Sequence, residues 1–374
     1  MSKRRHHYVP KFYLHAFGSG EKRINLFNLE RLQPIRDVSI KDQCYRHRLY
    51  GPTDDLENTL MVIENGIAPA ISTIRTTRKL PSVGSMERLK LFSFVALQMM
   101  RTTLVAERIR LMSQKLVDAV TRGDPDSENA KHWRSMLALE DSVLMSVHLA
   151  PSIGYAIEDL KARLICASDN QFFITSDNPV MKYNQYHEGY HVGSTGGVSR
   201  GLQLFVPLSP MVLLMLYDGW VYHAGDKGTD IISRIPDSDV STLNMLQVVG
   251  ASENVYYSDW NHTERVAECI QRGLPHRDPD PIRSVEAIDS GNERASMLAS
   301  WEQTPNLHLN LSFVRMKKEA KRVPADERLK PKIMYRKDLP DEPNYGPPIG
   351  AGQRCIIRYR VPRTEKPQKL RSTS

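Results

Sequence analysis

No run of about 18 consecutive apolar residues occurs in this chain, so the sequence offers no helix that would cross a membrane. Cysteine is sparse. Cys44, Cys166, Cys269 and Cys355 stand far apart without paired spacing, which fits neither a zinc knuckle nor a disulfide framework and suits reduced thiols in a cytoplasmic protein. A Walker loop and a G-x-S-x-G elbow are absent, and Gly193 to Gly197 lacks the strand-to-helix setting of a dinucleotide turn. These absences argue against P-loop NTPases, α/β-hydrolases and Rossmann enzymes. Lys3, Arg4 and Arg5 open the chain, but histidines and tyrosines interrupt any apolar run behind them, so no secretory signal is expected. There is no internal repeat.

What is present is ordinary globular composition, 40% hydrophobic and 25% charged over 374 residues, enough for one large or two moderate domains. The net charge of +8 is unevenly placed. Residues 305–374 hold 17 Lys+Arg against 7 Asp+Glu, residues 1–304 hold 34 against 36, and the first seventeen carry four basic groups and no acid. A basic start and a basic end flanking a mildly acidic body fit nucleic-acid contact through the termini, and equally a solvating tail.

Turn residues Gly18-Ser19-Gly20 precede a short strand-like run at 23–31. Leu56, Leu60, Ile63, Ile67, Ile71 and Ile74 then recur at three- and four-residue steps, one apolar stripe on an amphipathic helix with Asp54 and Asp55 at its start. A second helix is expected over 86–120, apolar on nearly every side at 91–100, and a third over 129–164, broken near Pro151. The period changes after that. Residues 163–167 and 172–175 read as a hairpin, followed by strands at 202–207 and 211–217, and the four make an antiparallel meander. Residues 183–201 read as a long loop. A helix at 237–249, a strand at 255–257 and a helix at 263–272 follow, and Leu307, Leu309, Leu311 and Phe313 alternate as in a strand. The expected class is α+β, a helix-rich N-terminal half packed with a small antiparallel sheet. The expected division is a main domain over 1–273, a linker over 274–304 and a basic extension over 305–374 with one or two strands, one of them at 355–361.

The chemistry-bearing candidates start with His6 and His7, in the run His6-His7-Tyr8-Val9-Pro10-Lys11-Phe12-Tyr13-Leu14. Imidazole is a common metal ligand and general base near neutral pH. A His-His-x-x-Pro string resembles the start of the His-Asn-His nucleases, but Asn25 and Asn28 lie in a strand-like run and no helix delivers the second half of that motif. On an extended chain the two rings point to opposite faces, so they fit a site wall and a structural clamp alike. Glu57 and Glu64 share a helix face beside the apolar stripe, with Glu64 at its edge. Gln98 and Arg101 sit three apart at the end of the most apolar helix section, where a buried guanidinium needs a partner, a carboxylate or a substrate phosphate. Asp177 and Asn178, before Pro179, read as turn formers or as residues presented at a sheet rim. His187 and His191 are four apart, a weak metal signal outside a helix.

In this order the N-terminal run, Ile63-Glu64, Gln98-x-x-Arg101-Thr102, Phe173-Ile174-Thr175-Ser176-Asp177-Asn178-Pro179-Val180 and Pro207-Leu208-Ser209-Pro210 resemble a bacterial domain-of-unknown-function family, number 4238 of that series. The resemblance covers about 4–260 and carries no established activity. It implies a bacterial, intracellular protein with one domain over that span, and it groups His6, His7, Glu64, Gln98, Arg101, Asp177 and Asn178.

Two functional expectations follow. One is a metal-dependent phosphodiesterase or nuclease acting on nucleic acid. In it His6, His7, Glu64 and Asp177 are catalytic, Gln98, Arg101 and Asn178 bind substrate, and a divalent metal is the candidate cofactor. The other is a non-catalytic nucleic-acid or protein-binding module in which the N-terminal run is a clamp and Arg101 a buried ion pair.

Overall fold

Residues Val212–Tyr217 (β10) are apolar and buried without exception, the pattern of a strand covered on both faces. Side-chain alternation divides them between two cores: Val212, Leu214 and Leu216 enter one apolar cluster, while Leu213, Met215 and Tyr217 enter the other. β10 pairs antiparallel with β6 (Lys161–Cys166) and β9 (Gln203–Ser209), and β9 with β8 (Met181–Tyr183). The parallel β12 (Ile231–Ile232) completes the order β12-β6-β10-β9-β8. This sheet is the middle layer of the fold.

The computed structural model describes residues 5–337 apart from 21, 121–125, 127, 129–130, 132–138, 189–193, 279–284, 293–294, 301–305 and 329. At 112–113, 115–120, 139–141, 285–292, 295–300 and 331–332 only the backbone is described. Residues 1–336 form one compact unit, and the expected strand at 355–361 lies outside the described residues.

The first core is covered by α2 (Asp55–Thr77), α3 (Met86–Met100) and the N-terminal run with its one-turn helix α1 (Lys11–Leu14). Leu60, Ile67, Ile71 and Ile74 of the α2 stripe are buried, but Ile63, between them in sequence, is 40% exposed. The helix expected over 86–120 is two helices. α3 stops at Met100, and α4 (Thr103–Val120) leaves at a bend of 55°. Residues 101–102 at that bend include a buried arginine. The third region is likewise split into α5 (Leu139–His148) and α6 (Ala150–Ile157), with Pro151 in the first turn of α6 where its missing N–H costs nothing. No single helix among the described residues is long and apolar enough to cross a membrane.

The second core lies under α7 (Asp237–Gly250) and α8 (Thr263–Gly273) and takes in Leu307, Leu309, Leu311 and Ala320. A second sheet runs β2 (Gly18–Gly20), β3 (Arg23–Asn28), β13 (Asn254–Tyr257), β7 (Thr175–Ser176), with β4 (Gln33–Ser39) also on β3. Two-stranded ribbons join β1 (Arg5–His7) to β5 (Tyr45–His47) and β11 (Tyr222–Ala224) to β16 (Val314–Met316). Within 274–304, β14 (Val285–Asn292) pairs with β15 (Ala295–Ser300).

The class is therefore α+β, with one correction. The N-terminal half is not set apart as helical, since strands run from Arg5 to Met316 and β1–β5 all precede the first long helix. Three-residue strands are too short to show a period of two. The expected 163–175 hairpin is also absent. Asn244 of α7 accepts from Ile174 N at 3.0 Å and donates to Phe172 O at 2.9 Å, satisfying that backbone in place of a neighbouring strand. Thr175 and Ser176 go on to join the other sheet. Leu307, Leu309 and Leu311 are buried, yet the ladder begins only at Val314.

Candidate functional site

β1 lays His6 and His7 against the interior at successive positions, and each ring finds its own partner. His6 Nδ1 accepts from Tyr50 N at 3.0 Å, which leaves the ring proton on Nε2, 3.7 Å from Asp54 Oδ1. Its ring stacks on Tyr50 with centroids 5.4 Å apart. His7 Nε2 donates to Lys41 O at 3.2 Å. Burial, then the positive charges of Lys11, Arg101 and Arg5, outweigh that bond and bring the His7 pKa down to about 4. The ring is neutral at pH 7.

Arg101 sits at the break between α3 and α4 and is only 2% exposed. Its guanidinium meets Glu64 Oε1 at 2.6 Å and the carbonyl of His7, which also accepts from the Tyr50 hydroxyl at 3.0 Å. One turn back, Gln98 Nε2 donates to Tyr8 O at 3.0 Å. The end of α3 thus holds the backbone of the N-terminal run through two consecutive carbonyls. Further along the run, the Tyr13 hydroxyl donates to Pro207 O and accepts from Thr175 at 2.8 Å. That bond ties the terminus to both sheets. Among the described residues Gln98 Oε1, Arg101 Nε and Thr102 Oγ1 are buried without a hydrogen-bond partner.

Asp177 is engaged elsewhere. Its Oδ1 accepts from Ser252 N at 2.7 Å and its Oδ2 from Glu253 N at 2.6 Å and Asn254 N at 3.0 Å. Asn178 Nδ2 donates to Gly250 O at 3.1 Å. The pair fastens the turn between α7 and β13. Burial raises the Asp177 carboxyl to about 6 against the pull of the three N–H groups.

Of the residues grouped from the sequence, His7, Glu64, Gln98 and Arg101 therefore form one cluster, and Tyr50 connects it to His6. Asp177 and Asn178 bond to a different turn. The Arg101 partner is a carboxylate, one of the two possibilities left open by the sequence. Among the described residues no group of three His, Cys, Asp or Glu side chains is placed to hold a metal ion. His187 is buried, and His191 lies outside the described residues. Tyr50, which bridges both histidines, carried no sequence signal because it stands in a turn without periodic neighbours. Asp218, Gly219 and Trp220, which build a pocket after β10, were missed for the same reason.

The chain belongs to the family described as Protein of unknown function (DUF4238), whose model matches residues 5–261. No curated protein and no solved structure matches it.

Proposed function

We propose that this chain is a non-catalytic, cytoplasmic nucleic-acid-binding protein that meets the phosphate backbone with its basic N-terminal face. One observation carries the reading: His6, His7, Glu64 and Asp177 bond to separate groups inside the fold, while cations of the same N-terminal region lie at the surface. The first fifty residues hold eleven Lys+Arg against four Asp+Glu. Lys11, Lys41 and Arg48 are exposed and make no ion pair among the described residues. On the β1–β5 ribbon the Arg5 guanidinium lies 4.8 Å from the Tyr45 ring centroid and His47 meets the same ring edge-on, a mixture of cations and aromatics that suits phosphate and base contact. Arg5 and Arg46 pair with Asp42 and Glu253, but exposed pairs of this kind are worth at most about 1 kcal/mol and yield to a polyanion. The described cysteines, Cys44, Cys166 and Cys269, are free and buried, consistent with a reducing compartment.

The test is fluorescence anisotropy of labelled duplex and single-stranded oligonucleotides. Binding weakens at least about tenfold between about 50 and 200 mM salt, as release of two or more counterions requires. The double variant Lys41→Glu/Arg48→Glu reduces it, and so does removal of 338–374. Absence of binding at the lower salt overturns the reading. Cleavage of the oligonucleotide in the presence of a divalent metal, lost in His7→Ala, replaces it with the phosphodiesterase.

A further inference from the structure

The turn Asp218-Gly219-Trp220, between β10 and β11, floors an open pocket of about 610 Å³ walled by Asp159, Lys161, Arg200 and Arg336. That volume is in the range of small-molecule sites, about 300–1,000 Å³. Trp220 is 44% exposed there, and its ring is held in place: the Arg200 guanidinium lies 4.6 Å from its centroid and Tyr186 meets it edge-on at 6.4 Å.

The charges of the lining sort themselves. Asp159 takes Arg336 through both oxygens, at 3.0 and 3.2 Å. Asp218 accepts from Gly201 N at 2.9 Å and Trp220 N at 2.8 Å. The other donors of Arg336 reach the carbonyls of Ala156, Gly197 and Ser199, and Arg200 reaches those of Ile333 and Tyr335. The cation left over is Lys161, exposed at the start of β6 and without an ion pair among the described residues. Its stem lies across Gly219, where a Cβ would come within 2.6 Å of Lys161 Cδ and Cε. Three cations against two carboxylates, both already engaged, make a lining that favours an anion.

We propose that this pocket binds a nucleoside monophosphate, with the base against the Trp220 ring and the phosphate on Lys161. An aromatic face accepts any base by stacking, and an ammonium group binds phosphate as a point charge. Val323, Ile333 and Arg336 belong to chain beyond the family match of 5–261, so the segment after the family domain completes the wall. The inference is independent of the N-terminal face, since a free nucleotide occupies the pocket whether or not the protein holds nucleic acid.

The experiment titrates the full chain with AMP, adenosine and inorganic phosphate in separate arms, by calorimetry and tryptophan fluorescence. AMP binds one to one with a Kd of about 0.1 mM or tighter, and adenosine and phosphate each bind at least about tenfold more weakly. Lys161→Ala weakens AMP at least about tenfold while leaving adenosine unchanged. Gly219→Ala weakens AMP by displacing the lysine stem, and Trp220→Ala removes binding of AMP and adenosine alike. Trp260→Ala, at a ring stacked on Tyr257, changes nothing. Should Trp220→Ala lose its fold by circular dichroism, Lys161→Ala alone decides. No saturation by AMP at about 5 mM, AMP affinity indifferent to Lys161→Ala, or phosphate binding as well as AMP overturns the proposal.

Discussion

Around His6 and His7 a buried arginine closes a site, whereas around Trp220 a buried arginine walls one that stays open. Arg101 and Arg336 share a plan: side chains 2% and 3% exposed, each with one carboxylate partner and with backbone carbonyl contacts besides, one for Arg101, whose Nε is left without a partner, and three for Arg336. The surroundings differ. Beneath β1 the neighbouring donors, from Gln98 and Tyr50, also go to backbone carbonyls, and the histidine rings are stacked or buried. At the Asp218–Trp220 turn an aromatic ring and a lysine are left facing solvent. Similar arginines thus accompany a closed clamp in one place and an open pocket in the other, and what differs is the side chains left facing solvent beside them.

Removing the arginines tests the likeness most severely. Arg101→Met strands Glu64, leaves the His7 carbonyl only its Tyr50 donor, and lowers stability by about 3–5 kcal/mol, read as the urea midpoint at constant m-value. Arg336→Met, whose partner Asp159 is more exposed, costs about 2–3 kcal/mol. Equal and small losses for both would remove the comparison.

His7→Ala sharpens the clamp side, with an expected loss of about 1–3 kcal/mol at pH 7. The pH dependence carries a sign. Native His7 stays neutral down to about 4, whereas the unfolded ring protonates near 6.5, so the unfolded state binds the extra proton in between. Stability from this residue therefore falls as pH drops from about 6.5 to 4, by up to about 3 kcal/mol. Asp177 acts oppositely: its native carboxyl, raised to about 6, keeps a proton that the unfolded carboxyl sheds, so it favours folding on acidification. Urea curves of wild type minus His7→Ala at pH 7, 5.5 and 4 isolate the histidine, and a difference that does not change across that range contradicts the buried neutral ring.

The smallest effect belongs to the pocket. Trp220→Ala changes stability within about 0.5 kcal/mol, because the ring is half exposed and closes no core. A loss of about 2 kcal/mol would make Trp220 a packing residue and erase the contrast.

Much of the frame was legible because it repeats along the chain. The α2 stripe, the apolar section of α3 and the unbroken apolar run of β10 each announce burial several times over. Interactions made by single residues across long separations were not legible. Nothing local says that Asn244 will take the place of a strand beside Phe172, that Tyr50 will bridge two histidines, or that the helix after Met100 will bend where Arg101 turns inward. The grouping of His7, Glu64, Gln98 and Arg101 could be anticipated from the family resemblance and from the cost of burying an unpaired guanidinium. The separation of Asp177 could not, since the same Asp-Asn-Pro string serves a turn and a sheet rim equally well.

By itself, then, the sequence determined the α+β class, the buried helices and strands and the uneven charge, because hydrophobic period and composition are properties of neighbouring residues. The tertiary structure decided which polar groups are consumed and which remain, because a hydrogen bond depends on what a side chain meets after folding. The opening histidines, prominent in the sequence, meet backbone groups and aromatic rings, and the unremarked Asp-Gly-Trp turn is left with a lysine and an open ring.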